Sequence, residues 1–185
     1  MTDRYARQLQ VAPFIRHGQG DQSAQKKLDA AKVLIVGSGG LGSPVSLYLA
    51  GAGVGEITLV DADHVSLSNL HRQILFTESD LDQPKSLVGQ KRLAALNSEI
   101  KVRALCEAVT PSNVDELVAN ATLVIDAADN FFVSYLLSDT CLAQRIPLVA
   151  ASVIETSGHI GVFCGTKEKP LPSLRALFPL SLIHI

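Results

Sequence analysis

No apolar run in the chain approaches the roughly 20 residues that a membrane-spanning helix needs, so no such span is expected. A strong charge of one sign is missing too: 16 Lys+Arg stand against 18 Asp+Glu, for a net charge of −2. That balance argues against broad binding to nucleic acid or to a membrane surface. Cysteine is scarce, and Cys106, Cys141 and Cys164 lie far apart with no C-x-x-C pair. The expectation is buried thiols in a reducing, cytoplasmic setting rather than a disulfide framework. The start, Met1-Thr-Asp-Arg-Tyr5, is polar and lacks the pattern of a signal peptide. Internal repeats and low-complexity tracts are absent. What is present is globular: 185 residues, enough for one domain or a little more, with 47% hydrophobic and 18% charged residues to build and coat a core.

The pattern along the chain alternates. Residues 32–37, 56–60, 100–105 and 123–127 are short aliphatic and β-branched runs of the kind buried on both faces of a parallel sheet, and residues 147–152 and 158–164 read as two further strands. Between them, residues 43–52, 84–97 and 131–145 read as helices, and Thr110-Pro111 reads as an N-cap with proline at the first helical position of another, ending near Val118. Residues 63–76 show no clear period. Ahead of the first strand, residues 4–15 read as a short amphipathic segment, 17–23 as a polar loop and 24–30 as a helical run. The predicted fold class is α/β: a Rossmann-like, doubly wound, mostly parallel sheet with helices on both faces. The predicted organisation is an N-terminal helical arm (1–30), a Rossmann-like domain (31–165) and a tail (166–185) that ends on apolar residues without a closing element, as a truncated chain would.

Gly37-x-Gly39-x-x-Gly42 follows a strand and opens a helix. In that context glycines allow a tight turn and the close approach of a phosphate to backbone N–H groups at a helix N-terminus. Asp61, at the end of the next strand, is spaced to bond a ribose hydroxyl. These features indicate an adenine nucleotide and leave open whether it is a redox dinucleotide or ATP. The tilt toward ATP comes from three segments near strand ends: Asp63 to Gln73, with Ser68, Asn69 and Arg72; Gln83-Pro84-Lys85; and Asp126-Ala-Ala-Asp129-Asn130. Attack on phosphorus needs cations and a metal-binding carboxylate at one place, whereas a nicotinamide needs a flat apolar slot. Arg72 offers a planar fork of donors and Lys85 a point charge. Asn69 can donate to a phosphate oxygen, and Asp129 can hold Mg²⁺ across the phosphates. Each also has a plain structural reading: a surface cation for Arg72, a solvated first-turn residue for Lys85, a helix N-cap for Asp129-Asn130.

Taken together, the chain resembles the ThiF/MoeB/HesA family, bacterial relatives of ubiquitin-activating enzymes. The resemblance runs from Arg4 to about Ile160 on Arg4-Tyr-x-Arg7-Gln8, Gly37-x-Gly39-Gly40-Leu-Gly42, Gly51-Ala-Gly-Val-Gly55, Asp61-x-Asp63, Ser68-Asn-Leu-x-Arg-Gln73, Gln83-Pro-Lys85 and Asp126-x-x-Asp129-Asn130. It implies that Gly40 and Asp61 contact the nucleotide and that Asn69, Arg72 and Lys85 handle its phosphates. Asp129 would bind Mg²⁺, and Arg7 would reach into the partner subunit's site of a homodimer. The implied reaction is ATP-dependent adenylation of the C-terminal glycine carboxylate of a ubiquitin-like sulfur-carrier protein (ThiS/MoaD-like), for thiamine or molybdopterin biosynthesis. The chain departs from the family in three ways. Ser173 and Ala176 stand where a zinc-binding Cys-x-x-Cys is usual, so no structural Zn²⁺ site is expected. Ser134 stands where an arginine is usual, and the family's later segments are missing. Two other readings follow: a truncated paralogue that binds ATP or a partner without turnover, and an NAD-dependent oxidoreductase.

Overall fold

The computed structural model describes residues 3–10 and 22–179. Strands β1 (Lys32–Val36), β2 (Glu56–Val60), β3 (Lys101–Leu105), β4 (Leu123–Asp126), β5 (Leu148–Ile154) and β6 (Ser157–Phe163) form one sheet in the order β3-β2-β1-β4-β5-β6. The first five are mutually parallel, and β6 runs antiparallel along β5. The chain builds outward from β1 through β2 to β3, then returns to place β4 on β1's other side. The carboxyl ends of β1 and β4 therefore flank the point where strand order reverses, the place at which open α/β sheets form a crevice.

The strand runs lack alternation because both faces are covered. Val33 and Ile35 of β1 point to one side, where they meet Ile57, Leu59 and helices α1 (Gln22–Ala30), α2 (Gly42–Ala52) and α3 (Lys85–Leu96). Leu34 and Val36 point to the other, against α4 (Val114–Ala119), α5 (Phe131–Gln144) and α6 (Leu174–Leu177). Ile35, Ile57, Leu59 and Leu137 are fully buried. Each such side chain stabilises the fold by about 1.5–3 kcal/mol relative to exposure.

The two further strands form an antiparallel hairpin, which makes the sheet mostly parallel as expected. Two local expectations are corrected. The helix predicted from Thr110-Pro111 starts instead at Val114. Asn113 Oδ1 accepts the Thr110 N–H (2.8 Å) and Thr110 O accepts the Val114 N–H (3.1 Å), so the four residues close a turn on themselves. Of the three thiols, Cys141 and Cys164 are buried as expected, but Cys106 is exposed, 3.0 Å from Ser86 Oγ. Burial pushes the Cys141 thiol up to about 12, which keeps it protonated and inert.

Residues 11–21 of the predicted arm and its polar loop lie outside the described residues. The part that is described is strapped to the carboxyl ends of α2 and α3. Tyr5 Oη accepts from Asn97 Nδ2 (2.9 Å), Gln8 Nε2 donates to Ala52 O (2.9 Å), and the Arg4 guanidinium donates to Leu96 O (2.9 Å). A cation on the last carbonyls of a helix is favourable for its dipole. The Gly51–Gly55 motif serves this strap: Gly53 ends α2 at φ 83°, and a Cβ there would come within 2.6 Å of the Tyr5 ring. At the other end of the chain, the tail is tied to α5. Leu174 N–H donates to Ser138 Oγ (2.9 Å), Arg175 grips both oxygens of Asp139 (2.8 and 3.0 Å from Nε) and lies 4.5 Å over the Tyr135 ring, and Tyr135 Oη donates to Phe178 O (2.6 Å).

Candidate functional site

The glycine turn leaves β1 at Gly37 with φ 90°, a conformation that favours glycine. A Cβ at Gly37 would lie 2.5 Å from the Ala127 carbonyl oxygen, so the turn and the corner after β4 are in backbone contact. A Cβ at Gly42 would lie 1.9 Å from Gly37 O, which closes the turn on itself. Gly39 and Gly40 differ: the nearest atoms to a Cβ there are Gln73 Nε2 at 3.6 Å and Arg72 Cδ at 3.5 Å. Those two glycines form an open cradle at the start of α2, whose N-terminus has no side-chain cap. Ser38 Oγ and Gln73 Oε1, on residues 1% and 3% exposed, have no hydrogen-bond partner. Buried polar atoms are rarely left so, and two at one turn indicate room for a polar ligand.

Asp61, Asp63, Arg72 and Lys85 are linked to this cradle through a chain of contacts. Asp61 Oδ2 accepts the Ser38 N–H (2.7 Å), and Oδ1 accepts the Asp63 N–H (2.9 Å). Two lone-pair directions of that carboxylate stay open for hydroxyls. Arg72 lays its stem over Gly40, and its exposed guanidinium makes only long contacts, to Ser68 O and His71 Nε2, each 3.4 Å. Lys85 is not a solvated first-turn residue. It is 5% exposed, its ammonium is 2.9 Å from Asp63 Oδ2, and its N–H donates to Asp63 O (2.9 Å). Asp63 thus holds the cation at the strand end, with two of the three ammonium donors unspent. Asn69 fixes the approach to Arg72 through its carbonyl, which accepts the N–H groups of Arg72 and Gln73 (both 3.1 Å), while its side chain pairs with no described residue. Asn130 caps α5, its Oδ1 accepting the Val133 N–H (2.9 Å). Asp129, just before it, is exposed and unpaired among the described residues. A lone carboxylate is the kind of ligand that Mg²⁺ takes when phosphate oxygens supply the rest of its shell. A site of three or more His, Cys, Asp or Glu is not found among the described residues.

Arg7 is not brought to this place. It sits on the arm docked at the carboxyl ends of α2 and α3, whereas the cradle lies at their amino ends. An 11-residue helix sets these about 16 Å apart.

Sequence reasoning missed Ser38 and Gln73 as site residues, and it missed the burial of Asp126. That carboxyl is 2% exposed at the end of β4. Burial pushes its pKa above the usual carboxylate range, against the pull of the Ser134 hydroxyl and the Ala128 N–H (3.1 Å). The folded state therefore favours the protonated form, and Asp126 costs stability as pH rises from 3.8 through its raised folded-state value. Asp126→Asn is expected to melt higher than the parent at neutral pH, with the difference closing as pH falls below that window. Thermal melts across pH check this, and a variant that melts lower at neutral pH contradicts it.

Comparison with known proteins places these features in context. The description of the ThiF family matches residues 5–181. The chain is 45% identical over 159 residues to the sulfur carrier protein ThiS adenylyltransferase of Escherichia coli K12, covering 86% of this chain and 61% of that protein. It is 43% identical over 182 residues to the sulfur carrier protein adenylyltransferase of Thermus thermophilus, covering 96% and 64%. The chain thus spans under two thirds of the length of these curated relatives. Among solved structures, that of E. coli MccB with ATP aligns with a TM-score of 0.80 at 31% identity, over 89% of this chain and 48% of that one.

Proposed function

The chain belongs to the ThiF family, and from that premise we propose that its strand-end site adenylates the C-terminal glycine carboxylate of a ubiquitin-like sulfur-carrier protein. The observation that carries this reading is the pairing of an open glycine cradle with two cations. Arg72 lies over Gly40, and Lys85 is drawn out of solvent onto Asp63, whose neighbour Asp61 grips the Ser38 N–H. A triphosphate laid across Gly39 and Gly40 meets the free N-terminus of α2, the fork of Arg72 and the donors of Lys85. Asp61 takes the ribose hydroxyls with its open lone pairs. Asp129 would hold Mg²⁺, which supplies neutralisation of charge on the phosphates.

The carrier's carboxylate oxygen attacks the α-phosphorus, an acyl–phosphate bond forms, and pyrophosphate leaves with the electron pair of the broken bond. The site residues serve this by positioning and by countering charge on the equatorial oxygens and the leaving group. Asn69 adds an amide donor. The solved MccB complex with ATP and the names of the sequence relatives support the nucleotide and the carrier. Arg7, held at the far end of α2, is assigned to a second copy's site in a homodimer. The product is assigned to sulfur transfer for thiamine or molybdopterin synthesis.

The test is exchange of labelled pyrophosphate into ATP. Exchange is expected only with both a carrier protein and Mg²⁺ present. ATP binding without exchange in the presence of carrier contradicts the assignment and leaves a nucleotide-binding protein without turnover.

A further inference from the structure

Behind the site, under the β5–β6 hairpin, lies a cavity of about 280 Å³. Its walls are mostly apolar, with Phe131, Ile160, Phe163 and Leu177 among them. At one side sit Asp126 and Ser134. Four other acids among the described residues have a cation beside them. Asp63 has Lys85, Asp80 has Arg92, Asp139 has Arg175, and Glu56 has Lys101 and Arg103. Asp80 and Asp126 are the two buried acids among these residues, and only Asp80 has its cation. Asp126 is the more deeply buried of the two, yet it meets one backbone N–H and one hydroxyl. Burying a carboxylate in an apolar wall costs several kcal/mol unless a cation answers it. The Asp126–Ala128 turn does not require the charge, since an asparagine would accept the same N–H.

We propose that this cavity receives a basic side chain near the C-terminal end of the carrier's tail, with Asp126 as its counter-ion. The proposal rests on the adenylation reading, because that reading brings a polypeptide terminus to Asp129, three residues along from Asp126. The apolar walls suit the methylene stem of arginine or lysine, and the acid suits its head. His159 is the other titratable group on the wall. It is exposed and edge-on to Phe178 at 6.0 Å, away from any ion pair among the described residues. Ser134, on the first turn of α5, meets the acid with a neutral hydroxyl and supplies no cation.

The experiment uses fluorescently labelled peptides ending in glycine, with arginine moved through each of the preceding positions and citrulline as its neutral isostere. Binding to the full chain is read by anisotropy without nucleotide. At one position arginine is expected to bind about tenfold tighter than citrulline. Asp126→Asn should erase that preference while ATP binding stays at the parent level. Should Asp126→Asn fail to fold, Ser134→Arg supplies an internal cation and should erase the preference as well. Equal affinity for arginine and citrulline at every position, or a preference that survives these substitutions, overturns the proposal. Because peptide selectivity is read without ATP, it separates from the adenylation reading: selective binding without pyrophosphate exchange counts against the reaction, and exchange without selectivity counts against the cavity.

Discussion

Lys85→Ala is expected to lower carrier-dependent pyrophosphate exchange by about 10²- to 10³-fold, the usual cost of losing a preorganised donor to transition-state charge. Its effect on folding should be small by comparison. Asp63, the partner left behind, keeps a side chain 70% exposed to water, and an exposed acid loses little with its cation. The three lost methylenes account for about 2 kcal/mol, roughly 5–10 °C in Tm for a domain of this size. Lys85→Met retains the packed stem and should match the alanine variant in activity while melting with the parent. Exchange assays and thermal melts on the same preparations check both. Losses of activity that follow losses of Tm across the two variants would make Lys85 a structural residue.

The glycine turn gives the second large effect, and it divides by position. Gly42→Ala puts a Cβ 1.9 Å from the Gly37 carbonyl oxygen. Backbone cannot yield there as a side-chain tip can, so the expected cost is about 3 kcal/mol, on the order of 10 °C in Tm, with ATP binding lost as the turn opens. Gly40→Ala puts its Cβ 3.5 Å from the Arg72 stem, an ordinary contact. It should fold with a parental Tm and still lose ATP affinity by about tenfold or more, because the methyl occupies the space over the turn that the phosphate would take. Calorimetric titration with ATP and melts of both variants separate the cases. Parental ATP affinity in a folded Gly40→Ala variant would remove the phosphate from that turn.

Much of this was legible along the chain. Residues 32–37 are aliphatic without alternation, and that pattern requires cover on both faces, which the two helix layers provide. Gly37, Gly39 and Gly42 announced the turn, and Asp61 the acid opposite it, because the chemistry needs them at fixed offsets from a strand end. The hairpin direction of β6 was not legible. Its loop is Glu155-Thr156 with Glu155 at φ 54°, and it carries neither the glycine nor the asparagine that marks a tight hairpin turn. The burial of Lys85 was hidden because its partner lies 22 residues upstream, a distance no local period reports. Asp126 was hidden in the same way: the cavity beside it is made by β5, β6 and α6, which reach it only after the sheet is assembled. Arg7 stood in a motif but away from the cradle, since the arm answers to helix carboxyl ends rather than to strand ends.

A crystal structure of the chain with a non-hydrolysable ATP analogue and Mg²⁺ tests the central claim most directly. The predicted result places the phosphates over Gly39 and Gly40, within hydrogen-bonding distance of Arg72 and Lys85, with the ribose on Asp61 and the metal on Asp129. A nucleotide bound elsewhere, or held at the glycine turn with Arg72 and Lys85 directed away from its phosphates, would contradict it.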